Sequence, residues 1–388
     1  MKTASIHTES STLTCTSCIT GEKETLSFRD DTLISVHKAD TGESALFSGP
    51  GLIDLQVNGI FGIDFNVPSV TVQDIINANQ YLLTQGVTTF FPTVITNSDE
   101  YIITIMRTLA EACKNDPLLE TCVGGIHLEG PFISPQPGAK GAHDEAFIKA
   151  PDWELFKRFQ EAAGGKIKII TIAPEWEGAP EFIEKCTRSG VIVSIGHSLA
   201  DTSQIKKAAQ AGARMSTHLG NGIPLMLQRH PNMIWDQLAE DDLYTCIIAD
   251  GIHIPDAFIK VVRKTKGNNT MIVSDATCFA GMEPGEYRRH IGGDVVLDKN
   301  KRVSLKGQAG LLAGAAKSLL ENVETLLDHR LCSLGAAWQM ASLNVTDFLS
   351  ASGSALNDYE KDKVIFTTEG ASVSVEKVIK NGKVVFSK

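Results

Sequence analysis

A chain of 388 residues is too long for one small core and suits a large α/β domain with a minor companion. Its 43% hydrophobic and 21% charged residues match a soluble globular enzyme and exclude a disordered or fibrous chain. A formal net charge of -10 excludes a global field that would gather nucleic acid or an anionic membrane, so an anionic ligand must be held by a local cluster of Arg, His or backbone N–H groups.

In chain order, the opening MKTASIHTESSTLTC has no apolar targeting core. No apolar run approaches the roughly 20 residues of a membrane helix, so a cytoplasmic location is expected. Of the eight cysteines only Cys15 and Cys18 form a CxxC. Without a second such pair, free reduced thiols are expected there rather than zinc. Residues 1–49 are rich in Thr and Ser, with short β-like pieces such as TLISVH. The other terminus ends in EKVIKNGKVVFSK, a hairpin pattern with Asn381-Gly382 in the turn. We expect residues 1–49 and 351–388 to join in one small β-sandwich subdomain.

From residue 51 onward, eight apolar runs alternate with helical patterns. They are LIDLQVN (52–58), VTTFFPTV (87–94), CVGGIHLEG (122–130), IKIITIAP (167–174), VIVSIGH (191–197), ARMSTH (213–218), YTCIIADG (244–251) and TMIVSDA (270–276). TVQDIINANQYLLTQG (71–86) carries apolar residues at helical spacing, and DTSQIKKAAQAG (201–212) has Asp201 to cap its start and Gly212 to end it. This alternation predicts an α/β fold, a TIM (β/α)8 barrel over residues 50–350 whose parallel strands need no polar face. A doubly wound sheet would want a Gly-rich fingerprint after its first strand, and DLQVNGIFG lacks one. GGDVVLDKNKRVSLKGQAG (292–310) reads as a β excursion, followed by a helical stretch, LLAGAAKSLLENVETLL (311–327).

The C-terminal ends of barrel strands converge on one face, so polar residues there meet in space. In this chain they are Gln56 and Asn58, Glu129, His197, His218, Asp250 with His253, and Asp275. Singly, each His reads as a hydrogen-bonded structural residue and Glu129 as a loop cap. Together, a carboxylate, two imidazoles and a further carboxylate form a ligand set plus base for one divalent metal.

The segments PGLIDLQVNGIFGIDFN, GIHLEGPFISPQPGAKGAH, GHSLADTSQ, THLGNGIP, IADGIHIP and VSDA resemble the N-acetylglucosamine-6-phosphate deacetylase family of the amidohydrolase superfamily. The resemblance runs from about residue 49 to 350. Many amidohydrolases end the first strand in His-x-His, ligands of a second metal, where this chain has Gln56-x-Asn58. Neutral amides are poor transition-metal ligands. The resemblance therefore implies one divalent metal per subunit, held by Glu129, His197 and His218. Zinc is the first choice, with Fe, Co, Mn or Ni also compatible, and Gln56 and Asn58 stand behind the site to order it.

It further implies hydrolysis of an acetamide, with Asp275 as general base and proton carrier and His143, at the end of PGAKGAH, polarising the carbonyl. Arg229 and His253 match phosphate contacts, Asn221 and Gly222 match a segment offering donors to the sugar phosphate, and Leu312 and Ala313 belong to a loop near substrate. In relatives the arginine comes from the neighbouring subunit, which implies a homodimer with Arg229 reaching the neighbouring active site. Relatives often carry other residues where this chain has Gly220, Gly222-Ile223, the HPN after Arg229, and Ala315. These departures lie on the substrate side and leave N-acetylgalactosamine-6-phosphate, or another acylated amino sugar phosphate, as an alternative substrate. A cyclic-amide hydrolase would need no phosphate clamp, and a barrel that only binds would not need the ligand set with its base.

Overall fold

The computed structural model describes residues 10–39, 44–289 and 293–388, so residues 1–9 of the N-terminal stretch lie outside it. All eight predicted barrel strands form: β1 (Leu52–Val57), β2 (Val87–Ile95), β3 (Ile126–Glu129), β4 (Ile167–Ile172), β5 (Ile192–Ile195), β6 (Met215–Ser216), β7 (Tyr244–Ile247) and β8 (Thr270–Ile272). They pair in parallel and in sequence order, and a bridge between Val57 and Ala276 links the first to the last. The chain is thus the expected (β/α)8 barrel. Each strand is buried on both faces because helices cover the outside, which is why its sequence runs apolar without alternation.

The helices start and stop where local chemistry directs. Thr71 and Asp74 form a capping box at the head of Val72–Thr84, and Asp201 and Gln204 form another at the head of Thr202–Ala211. Gly212 ends the second helix at φ 115, a conformation that strains any residue with a Cβ. One buried cluster fills the space between helices and strands, while Ile53, Leu55, Phe91, Ile169 and Met271 join Phe348 and Leu349 of the helix Leu343–Ala351 in a second one.

Two expectations change at their edges. Residues 122–125 form no strand: Asp116 caps the helix Pro117–Cys122, Val123 makes a single bridge to Phe90, and Gly124-Gly125 pass where Phe91 and Lys168 leave no room for a Cβ. The β excursion is larger than 292–310, a four-stranded antiparallel sheet of Gly285–Arg289, Gly293–Leu297, Arg302–Leu305 and Gln308–Ala315. Residues 311–315 are therefore strand rather than helix, and the helix starts only at Leu319, where Ser318 and Glu321 form a capping box.

The terminal strands, Ser10–Ser17, Lys23–Arg29, Thr32–Lys38 and Phe47–Pro50 with Lys363–Glu369, Ser372–Lys380 and Lys383–Ser387, build one small β unit, as expected from both ends of the chain. Asn381 and Gly382 both take positive φ in its last hairpin, the conformation that a two-residue primed turn demands. All eight cysteines are free thiols, Cys15 and Cys18 included. Among the described residues no helix is long and apolar enough to cross a membrane.

A buried ion pair bolts this unit to the barrel. Lys380 Nζ donates to Asp362 Oδ2 at 2.7 Å and to Thr89 Oγ1 of β2 at 3.1 Å, and the Asn381 amide donates to the other Asp362 oxygen. Removing one partner strands the other charge without water. Lys380→Met is expected to destabilise the protein by about 3–5 kcal/mol, read as a lower Tm, and a second change, Asp362→Leu, should recover most of the loss.

Candidate active site

The strand ends bring the expected residues into one cavity. It is lined by Asn58, Glu129, His143, His197, His218, Asn221, Gly222, His253, Asp275, Leu312 and Ala313, among others. Glu129 closes β3 and is its centre. Its Oε1 lies 3.0 Å from His218 Nε2 and 3.2 Å from His197 Nε2, and it accepts a hydrogen bond from Gln56 Nε2 at 2.9 Å. Burial alone would raise this carboxyl; the two imidazoles outweigh it and hold Glu129 well below the usual range.

His197 Nδ1 donates to the Ala139 carbonyl at 2.8 Å, which fixes the tautomer and leaves the Nε2 lone pair facing Glu129. Gly222 is held to glycine by this ring, since a Cβ there would lie 2.7 Å from His197 Nδ1. His197, His218 and Asp275 all take positive φ, at 48°, 26° and 50°. Non-glycine residues pay of order 1–3 kcal/mol for such backbone, and three at one rim mark a site where side-chain direction is worth that cost.

Asp275 is partly buried and accepts a 2.7 Å hydrogen bond from Asn58 Nδ2. Burial pushes its carboxyl up to about 6, with His218 pulling the other way. Gln56 and Asn58 therefore each hold one carboxylate, Glu129 and Asp275 respectively, which answers why an apolar strand ends in two amides. His143 Nδ1 lies 2.8 Å from Thr96 Oγ1, and its ring stands 4.4 Å, centre to centre, from that of His197. Burial, with the neighbouring His197, lowers its pKa to about 3, so the ring is neutral.

His253 is turned by Asp250. Nδ1–H donates to Asp250 Oδ2 at 2.7 Å, while the amides of Ile252 and His253 donate to Oδ1. Two expected site residues do not line the cavity: Gln56 is buried behind Glu129, whereas Arg229 is exposed, in the loop that also exposes Leu225 and Met226 by 89% and 87%. Three polar residues were missed from sequence. Thr96 supports His143, the buried His127 bridges the Leu55 carbonyl and Thr171 Oγ1, and Asp54 binds backbone amides beneath the rim. Their signal was available, for each is a polar residue in or just beyond a strand that is otherwise apolar.

The donor set suits a divalent cation. A carboxylate oxygen shared by two imidazole nitrogens, all buried, is a carboxylate and imidazole set of the kind that binds divalent metals, and Glu129, His143 and His197 also place ligand atoms within 4.8 Å of one another. The model for the amidohydrolase family matches residues 49–385. The chain belongs to the amidohydrolase family. Within this amidohydrolase's relatives, an N-acetylglucosamine-6-phosphate deacetylase of Bacillus subtilis is 35% identical over 73% of this chain and 70% of its own length. One from Bos taurus is 30% identical over 83% and 78%, and an N-acetylgalactosamine-6-phosphate deacetylase of a Shewanella species is 33% identical over 80% and 77%. The solved structure of the N-acetylglucosamine-6-phosphate deacetylase from Pasteurella multocida superposes with a TM-score of 0.83 at 25% identity, covering 98% of this chain and all of that one.

Proposed function

We propose that this amidohydrolase removes the acetyl group from N-acetylglucosamine-6-phosphate, giving glucosamine-6-phosphate and acetate. The observation that carries the reading is the meeting of Glu129, His197 and His218 with Asp275 and His143 in one cavity. The relatives' names supply the substrate, and the Shewanella relative keeps N-acetylgalactosamine-6-phosphate as the second candidate.

Glu129, His197 and His218 would hold the cation. Bound there, a divalent metal, zinc first, supplies Lewis acidity and brings water ionisation towards neutral pH. Asp275 takes the proton of the attacking water, a task suited to a carboxyl whose pKa is raised toward neutrality. With Thr96 Oγ1 as the donor to His143 Nδ1, the ring proton would sit on Nε2, where it can donate to the acetamide oxygen as negative charge builds. Asp275 then returns its proton to the departing nitrogen as the C–N bond breaks. The barrel of residues 50–350 supplies all these groups, with the terminal segments as its support.

At the far end, His253 and Asn221 face the phosphate, with Gly222 beside them and Leu312 and Ala313 against the sugar. Arg229 is exposed and stands away from its own cavity, beside the bare Leu225 and Met226. This supports a homodimer in which Arg229 completes the neighbouring site. Arg229→Ala is expected to raise KM about 10- to 100-fold for the phosphorylated sugar and to change kcat little, as expected for a charge-assisted contact to phosphate. Acetate release measured in parallel on the gluco and galacto 6-phosphates and on their unphosphorylated forms tests the reading. Equal rates with and without phosphate would overturn it.

A further inference from the structure

The barrel has one weak seam, and Asp275, the proposed base, stands on it. Seven neighbouring strand pairs share hydrogen-bonded ladders, whereas among the described residues the ends of β1 and β8 are joined by a single bridge, Val57–Ala276, with the Asn58 and Gly59 amides donating to the Ala276 carbonyl at 2.7 and 3.1 Å. A fully buried carboxylate sits there. Asp54 Oδ1 accepts the Gln56 amide of β1 at 3.3 Å and the Ser274 amide, just past β8, at 3.1 Å. Ser274 answers with its hydroxyl, which donates to the Gln56 carbonyl at 3.3 Å and accepts from the Ala276 amide at 3.0 Å. Asp54 Oδ2 has no hydrogen-bond partner, so the residue sits in the wall at a standing cost.

We propose that Asp54 is a positioning residue, a clasp that closes the barrel and sets Asp275 against Asn58 and Gln56 against Glu129. The reasoning is geometric. Asn58 lies four residues beyond Asp54 and donates to Asp275, which follows Ser274 directly. Gln56 donates to Glu129, and its amide and carbonyl are the two groups that the clasp holds. A slip of either strand end would move both carboxylates in relation to one another. Misplacement by about 1 Å at a reacting centre can cost on the order of 100-fold in rate.

The catalytic part rests on the deacetylase reading; the mechanical part does not. The test uses Asp54→Ala, Asp54→Asn and Ser274→Ala in the full-length protein, with acetate release, metal content and hydrogen exchange measured on each. Asp54→Ala should lower kcat by roughly 10- to 100-fold with KM within about threefold and metal content unchanged. Amide protection should fall in the peptides around residues 52–58 and 272–276. Asp54→Asn keeps the acceptor oxygen and should retain most of kcat and of that protection. If Asp54→Ala does not fold, Ser274→Ala should show the same pattern to a smaller degree. Full kcat with only a lower Tm, unchanged protection at both strand ends, or Asp54→Asn as damaged as Asp54→Ala would each overturn the proposal. Hydrogen exchange decides the clasp even if the wild-type protein released no acetate, a result that would sink the deacetylase reading alone.

Discussion

Asp275→Asn should reduce kcat about 1000-fold or more while the protein keeps its fold and its cation. The amide is nearly isosteric and can keep the contact with Asn58 by turning its oxygen toward Nδ2, so the cavity is preserved. It cannot accept a proton, and loss of a positioned acid–base group costs about 100- to 10,000-fold. Asp275 serves twice in the proposed route, on the water and on the departing nitrogen, which places the loss in the upper half of that range. The wild-type enzyme should lose activity as pH falls and the carboxylate protonates. Burial sets that limb at about 6, and a cation nearby favours the carboxylate and moves the limb lower. The variant's residual rate should lack this limb. Steady-state kinetics over pH 5–9 with elemental analysis of the same samples checks both statements; a variant within tenfold of wild type would exclude Asp275 as the base.

Glu129→Gln is expected to lose the cation and with it at least as much activity. Glu129 Oε1 accepts from Gln56 Nε2 and has His197 Nε2 and His218 Nε2 at 3.2 and 3.0 Å, and only a charged oxygen makes that point attractive to a metal shared with the two rings. The amide would offer either a weak neutral oxygen or an N–H group facing the Gln56 N–H. Chelated wild-type protein should likewise fall silent, recover with added zinc, and show a lower Tm, because a ligand that binds only the folded state stabilises it. Chelation should leave the Tm of Glu129→Gln unchanged. Turnover that survives exhaustive chelation would end the metal-dependent reading.

The departure at Gln56 and Asn58 shows how far strand-end chemistry can be read in advance. Two amides in place of two imidazoles argue from ligand chemistry alone against a second metal. That the pair divides its work, one amide on Glu129 and one on Asp275, follows from directions that only the folded rim sets. Thr96 and Asp54 were overlooked for the same reason. A Thr after a strand and an Asp inside one have many ordinary uses, and their partners, His143 and Ser274, lie 47 and 220 residues away.

Local physics accounts for what was legible in the chain itself. Apolar runs of strand length, capping residues and the Asn381-Gly382 turn act over a few residues, so the eight strands, their helices and the terminal hairpin could be named from short windows. The helix expected over 311–315 failed there because that segment's conformation comes from pairing with residues 302–305, and an apolar window alone does not distinguish strand from helix. Convergence of Glu129, His197, His218 and Asp275 on one cavity was expected from strand order. Their hydrogen-bond partners, the exposure of Arg229 and the clasp at Asp54 were decided by tertiary structure. A hydrogen bond is specified to tenths of an ångström by backbone segments far apart in sequence, and no local pattern carries that distance.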